Sequence, residues 1–165
     1  GGGESIAGTM LKSAIMERNK PVIGFGHMAA SAAYRALSGA DEIIGSNDAA
    51  EFGSIGTMIS IDQKFLNKYR SRIADFYGSG APDKNGEFRA AIGGDFSRLQ
   101  ARVDELTAKF HEEIKRDRPL RGDKKSTLSG AMFDALASKE RGLIDGIGTM
   151  RYALDRMKKI KKAKY

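Results

Sequence analysis

The chain has 165 residues, enough for one domain with a real core, and no cysteine, which excludes disulfides and thiolate-bound metals. No stretch reads as a membrane span and no secretory leader is recognisable; the chain opens on three glycines without an initiator methionine, which reads as a fragment whose start is missing. The formal net charge is +7, but residues 156–165 carry Arg156, Lys158, Lys159, Lys161, Lys162 and Lys164 with no acid, so the remainder is nearly neutral and nucleic-acid binding is not expected.

In chain order, residues 1–3 form a glycine loop suited to close backbone approach. Residues 4–18 read as a helix with Ile6, Met10, Leu11, Ala14 and Ile15 on its apolar face, stopped by Asn19 and Lys20 before Pro21. Val22, Ile23 and Phe25 predict a buried strand, broken by Gly24, Gly26 and His27. The alanine-rich residues 28–37 predict a helix, with Ser31 in its first turn. Residues 42–45 read as a strand, 46–51 as a polar loop, 53–56 as a glycine-bounded turn and 57–61 as another strand. Asp62 caps a helix over 63–71, with Phe65, Leu66 and Tyr69 inward, and the alternation in 72–77 reads as a strand. Residues 78–94 read as a long glycine-rich loop carrying Lys84, a length that is usually functional or mobile. Asp95 then starts a long helix ending near Arg116, with Leu99, Val103, Leu106, Phe110 and Ile114 on one stripe. After a basic connection over 118–125, residues 131–141 read as a helix stopped by Gly142, 143–145 as a strand, 146–148 as a turn, and 149–164 as an amphipathic helix with Met150, Ala153, Leu154, Met157 and Ile160. This alternation of strands and helices predicts an α/β fold with parallel strands.

The chemistry centres on residues 21–34, PVIGFGHMAASAAY. Ser31 is flanked by Ala29, Ala30, Ala32 and Ala33, which leave its hydroxyl unshielded, and it stands where a strand turns into a helix. That is the logic of a nucleophile elbow without the G-x-S-x-G spelling. Two other readings stand beside it. Ser31 could cap the helix, although Tyr34 replaces the Glu or Gln of a capping box. Gly24-x-Gly26-x-x-Ala29, with Asp48 downstream, fits a dinucleotide fingerprint. All three readings are open on the residues alone.

His27 and His111 are the only histidines. His27 lies four residues before Ser31, and His111, beside Glu112 and Glu113, reads as exposed. Neither builds a Ser-His-Asp triad, and two distant histidines without cysteine make no metal site. A base for Ser31 would then be a lysine, whose amine loses its proton near neutral pH when desolvated.

The block Gly26-His-Met-Ala-Ala-Ser31-Ala-Ala-Tyr34 resembles the nucleophile segment of the signal peptide peptidase A family. These are serine endopeptidases of the ClpP/crotonase fold, a group that includes phage capsid-assembly proteases. Gly1-Gly2-Gly3, Lys20-Pro21-Val22, Ala40-Asp41-Glu42-Ile43, Gly53-Ser54-Ile55-Gly56 and Gly142-Leu143-Ile144-Asp145 resemble further family motifs, in the family's order. The resemblance implies an α/β fold of repeated ββα units wound as a superhelix, with the first strands missing from this fragment. Residues 1–155 would be one peptidase domain, and 156–165 the basic end of its last helix.

It implies a Ser-Lys dyad with Ser31 as nucleophile. Gly2 or Gly3 and the N–H of Ala32 would be the oxyanion donors, and Ser54 would help to hold the lysine. The base segment is Ser-Gly-x-x-Lys in the family. Here Lys84 stands one residue later and Asp83 occupies the slot. No cofactor and no metal are implied. The partners implied are a peptide or protein substrate and further copies of the chain. The Ala-Ser-Ala-Ala spelling resembles the phage type, which implies a cytoplasmic protein; a membrane-associated form would need an anchor ahead of residue 1. The rival readings are a crotonase-type acyl-CoA enzyme and a dyad-impaired, non-catalytic oligomeric homologue.

Overall fold

The structure is a computed structural model that describes residues 1–164, without the side chains of Lys162 and Lys164. Those two lysines and Tyr165, part of the basic end of the chain, therefore lie outside the described residues or side chains. The chain divides into two compact units. One is Gly1–Gly56 together with the chain from Ala108 onward, and the other is Thr57–Thr107.

The first unit begins with α1 (Ser5–Met16), β1 (Ile23–Gly26), β2 (Met28–Ala30), α2 (Ala32–Leu37), β3 (Glu42–Gly45) and β4 (Glu51–Gly53). The second holds α3 (Gln63–Arg72), α4 (Gly86–Ile92) and the start of α5 (Ser97–Asp117). The first unit resumes with the rest of α5, then α6 (Lys124–Thr127), β5 (Met132–Asp134), α7 (Ala135–Glu140), β6 (Gly146–Ile147) and α8 (Met150–Lys164).

The strands form two small sheets, ordered β1-β3-β6 and β2-β4-β5. β1 and β2 are separated by His27 alone yet enter different sheets, as do β3 and β4. Each strand–strand step, the first followed by a helix, thus adds one rung to each sheet. The α/β class and the repeated ββα unit expected from the sequence are what the structure has. The pairings β1 with β3, β3 with β6 and β2 with β4 are parallel, and only β4 with β5 is antiparallel. The core between these layers holds Tyr34, Ile43, Ile44, Phe52, Ile55, Phe110, Ile114, Leu143 and Ile144. Each loses its apolar surface to a neighbouring element, and that burial is what holds the unit together.

Several expectations for single elements are corrected. Residues 28–30 are strand, not helix: Ala29 is buried and its strand pairs with β4, so tertiary pairing overrides the helix preference of alanine. Residues 57–61 and 72–77 alternate like strands but join no sheet. In the latter, Tyr69 and Tyr77 both hydrogen-bond the Asp75 carboxylate instead. The loop expected over 78–94 contains α4. Strand β5 occupies the start of the expected helix at 131–141, and the closing strand is β6 rather than residues 143–145.

Helix α1 is turned the other way round from its apolar pattern. Ile6, Met10 and Leu11 are 66%, 67% and 57% exposed, while Gly8 and Lys12 face inward. The reason is how closely α1 approaches α2: a Cβ at Gly8 would stand 2.7 Å from the carbonyl oxygen of Ala32. Only glycine fits there. In α3 the Asp62 cap, accepting from the N–H groups of Lys64 and Phe65, and the burial of Leu66 are as expected, but Phe65 is exposed.

Candidate active site

Ser31 is the junction of β2 and α2. Its N–H donates to the Gly53 carbonyl (2.9 Å), and its own carbonyl accepts the Arg35 N–H (2.9 Å), the first hydrogen bond of α2. Pairing of β2 with β4 on one side and docking of α2 on the other leave little choice for the residue between. Its backbone adopts φ 54° and ψ −121°, a region that residues with side chains rarely enter and that costs about 1–3 kcal/mol. β1 and the end of α2 pack closely, since a Cβ at Gly24 would lie 2.9 Å from Leu37 Cδ2. The result is a sharp strand–turn–helix elbow with a half-buried serine at its apex.

This geometry removes two of the three readings of the segment. The Ser31 side chain makes no capping hydrogen bond, so it is not a helix cap. Gly24-x-Gly26-x-x-Ala29 leads into β2 rather than into a helix, so it does not have the strand-to-helix turn that a dinucleotide loop requires. Asp48 lies on an exposed loop.

Around Ser31 the first unit gathers two glycine-bearing segments. A Cβ at Gly2 would stand 3.0 Å from Ser31 Cβ and 3.5 Å from Ser31 Oγ, so the backbone of Gly2 passes directly over the serine. Gly3 is not part of that contact, since nothing lies within 4 Å of its Cβ position. Ala32 is buried and opens α2, where the first N–H groups of a helix have no intrahelical acceptor. The second segment is Gly53-Ser54. Gly53 accepts the Ser31 N–H, and the Ser54 N–H donates to the Ala131 carbonyl (2.8 Å). Ser54 also has a positive φ, 52°. A side chain at Gly53 would strike Ala131, its Cβ falling 2.3 Å from the carbonyl oxygen.

His111, expected to be exposed, is half-buried, and its Nε2 lies 3.2 Å from the carbonyl oxygen of Ile55. As an N–H it donates there and braces the turn that carries Ser54. His27 is exposed, and its Nδ1 is engaged by Ser46 Oγ and Asn47 Nδ2 at the carboxyl ends of β1 and β3.

Lys84 belongs to the second unit. It sits in a turn whose backbone N–H donates to the Ala81 carbonyl (3.2 Å), and its side chain is exposed. Its neighbour Asp83 pairs with Arg98 at 3.4 Å. Ser31, Gly2, Ala32 and Ser54 are thus brought together within one unit, and Lys84 is carried by the other.

The sequence reading passed over a group of charges behind the elbow. Lys12 and Arg35 are each 4% exposed. Lys12 Nζ contacts Glu113 Oε2 at 3.2 Å and pairs with Asp117, while Arg35 Nε faces Glu113 Oε2 at 3.3 Å. The available signal was a single basic residue inside each of two otherwise small or apolar helices, matched by acids one turn apart on α5. The recognised motifs also have structural work. Asp145 Oδ2 accepts from Ile43 N (2.7 Å) and Arg118 Nη2 (2.8 Å), and Asp41 Oδ2 accepts from Val22 N (3.0 Å) and Arg18 Nε (2.9 Å). Tyr34 donates to the Leu143 carbonyl (2.7 Å), and burial pushes its phenol far above the ordinary range. Among the described residues no cluster of three metal-ligating side chains occurs, and no helix is long and apolar enough to cross a membrane.

No protein-family model matches the chain, and no curated protein matches it. Among solved structures, it is similar to an enoyl-CoA hydratase/isomerase family protein from Hyphomonas neptunium, with 17% identity and a TM-score of 0.41 over 90% of this chain and 40% of that one. A second structure, also titled an enoyl-CoA hydratase/isomerase family member, gives 16% identity and a TM-score of 0.42 over 92% of this chain and 42% of its own. The chain spans about two fifths of the length of these structures.

Proposed function

We propose that the chain is the nucleophile-bearing part of a serine endopeptidase, related to the signal peptide peptidase A family by the resemblance of its motifs. One observation carries the reading: Ser31 is held at φ 54°, ψ −121° on an elbow, uncapped, with the Gly2 backbone against it. Strain at such a position aims a hydroxyl outward, and small neighbours leave it accessible. Ser31 Oγ attacks the peptide carbonyl carbon, and Lys84 Nζ takes the hydroxyl proton. The backbone N–H groups of Gly2 and Ala32 stabilise the oxyanion. The C–N bond then breaks, the proton passes to the leaving amine, and water releases the acyl group from Ser31. Ser54 orients the lysine. A protein substrate, assembly with further copies and a cytoplasmic setting belong to the same proposal.

The test is labelling by a fluorophosphonate, read by intact mass. The native chain is expected to gain one adduct and Ser31→Ala none; equal labelling of both would remove Ser31 from the role. Lys84→Ala is expected to slow labelling by about 10²-fold or more, the size of a lost general base. Unchanged labelling would move the base to another lysine.

A second reading is an acyl-CoA enzyme. It draws on Gly2 lying against Ser31, the neighbour of Ala32, because a pair of backbone donors serves a thioester oxyanion without any nucleophile. The titles of the two similar structures belong to this class. Coenzyme A is expected to leave the melting temperature of a peptidase unchanged, and a concentration-dependent rise would favour the second reading.

A further inference from the structure

We infer that Arg35 is a positioning residue that holds the Gly2 backbone over Ser31. The inference rests on the serine-hydrolase reading for its consequence in catalysis, but not for its geometry.

Arg35 lies one helical turn after Ser31 and donates its own N–H to the Ser31 carbonyl (2.9 Å). Its side chain runs back under the elbow to the first turn of α1. Nη1 lies 3.4 Å from the Ser5 carbonyl oxygen and 3.4 Å from Thr9 Oγ1, and it also donates to Ser5 Oγ. Ser5 is three residues beyond Gly2, so the guanidinium fixes the point from which residues 1–4 reach over the serine. The other side of the group is equally occupied. Nε faces Glu113 Oε2 at 3.3 Å without the alignment of a hydrogen bond, and the guanidinium carbon stands 4.1 Å from the centroid of the Phe110 ring.

One buried cation therefore touches α1, α2 and α5 together. A lysine could not do this, because a compact ammonium has neither the planar face for Phe110 nor a fork that reaches both helices. Lys12 anchors the next turns of α1 through Glu113 and Asp117. The share left to Arg35 is the N-terminal turn, the part that decides where Gly2 lies.

The absence of cysteine allows a direct measurement. Gly2→Cys with Ser31→Cys places two thiols where the Cβ positions are 3.0 Å apart. That is slightly inside the usual disulfide separation of about 3.5–4.5 Å, and a small shift of the terminal loop would supply the rest. The rate of disulfide closure under mild oxidation, read by mass, then reports whether Gly2 is held at Ser31. It needs no enzymatic activity.

Closure is expected to slow by about tenfold in the Arg35→Gln background, the scale on which lost preorganisation is felt. Arg35→Lys is expected not to restore it. Ser5→Ala with Thr9→Ala, which removes two of the acceptors at the protein surface, is expected to slow closure in the same direction and serves if Arg35→Gln does not fold. Ile44→Val loosens the core from β3, which is none of the three helices that Arg35 touches, and is expected to leave closure unchanged.

Closure at the parent rate in the folded Arg35→Gln or Ser5/Thr9 variant would overturn the inference. Equal slowing by Ile44→Val would also overturn it, since the effect would then be general loosening. Fluorophosphonate labelling of the cysteine-free parent separates the two claims. If the parent does not label but closure depends on Arg35, the hydrolase reading fails and the positioning role stands.

Discussion

At the scale of the residue, Ser31 and Gly2 give opposite predictions for similar small changes. Ser31→Gly relieves a backbone conformation that favours glycine, and is expected to raise the unfolding free energy by about 1 kcal/mol while abolishing labelling. Urea unfolding of Ser31→Gly beside Ser31→Ala checks this, because alanine removes the hydroxyl without relieving the strain. A loss of stability in the glycine variant would mean that the elbow is not strained. Gly2→Ala puts a methyl group 3.0 Å from Ser31 Cβ and is expected to reduce fluorophosphonate labelling without changing the melting temperature. Gly3→Ala, with open space around its Cβ position, is expected to change neither. If the two alanine variants label alike, Gly2 is not at the reacting centre.

At the scale of the element, the α1–α2 contact is set by Gly8, whose Cβ would reach 2.7 Å from the Ala32 carbonyl oxygen. Gly8→Ala is expected to cost about 1–3 kcal/mol by overpacking, despite the higher helix propensity of alanine. An unchanged unfolding midpoint would show that α1 can shift at no cost. Lys12→Met is expected to cost about 1–3 kcal/mol in urea unfolding, because Asp117 and Glu113 lose their most buried cation and keep only Arg116 and Arg35.

These same elements show what sequence reasoning could reach. The strands β1 and β3, the Asp62 cap and the stripe of α5 were legible because each rests on local pattern. Strand β2 was not, because its alanines favour a helix and only pairing with β4 makes it a strand. The orientation of α1 was hidden for a similar reason. Its apolar side looks like a core face, and nothing local says that Gly8 must meet Ala32. In the candidate site, Ser31 and Gly2 could be found from small-residue spelling and motif resemblance. Arg35 could not, because its role depends on a ring and a carboxylate contributed by α5, far along the chain.

At the scale of the whole molecule, the two units differ in what holds them. The first contains nearly all of the fully buried large side chains, whereas in the second Leu66 and Ala91 are the hydrophobic residues in the core among those described. Met58, Phe65, Ile73 and Phe76 are exposed there, Phe76 by 94%. An open groove of ≈ 280 Å³ and mixed polarity lies there, lined by Ile59, Ile61, Phe96, Leu99 and Val103 together with Gln63 and Gln100. With so little burial, amides of α3 and α4 are expected to exchange with solvent deuterium well before those of β3. Comparable protection in both units would show that they unfold as one body.

The hydrogen bond between His111 and the Ile55 carbonyl has a topological consequence. It joins the chain just before the second unit begins to the chain just after it ends. Residues 57–107 are therefore a closed excursion whose ends are fixed by the first unit. Closing such a loop costs entropy that grows only with the logarithm of its length, so doubling it would cost only about 0.6 kcal/mol. Added length ahead of α5, in the segment carrying Lys84, thus brings little entropic penalty to the elbow that carries Ser31. Nucleophile and candidate base occupy parts of the chain that are free to change at different rates.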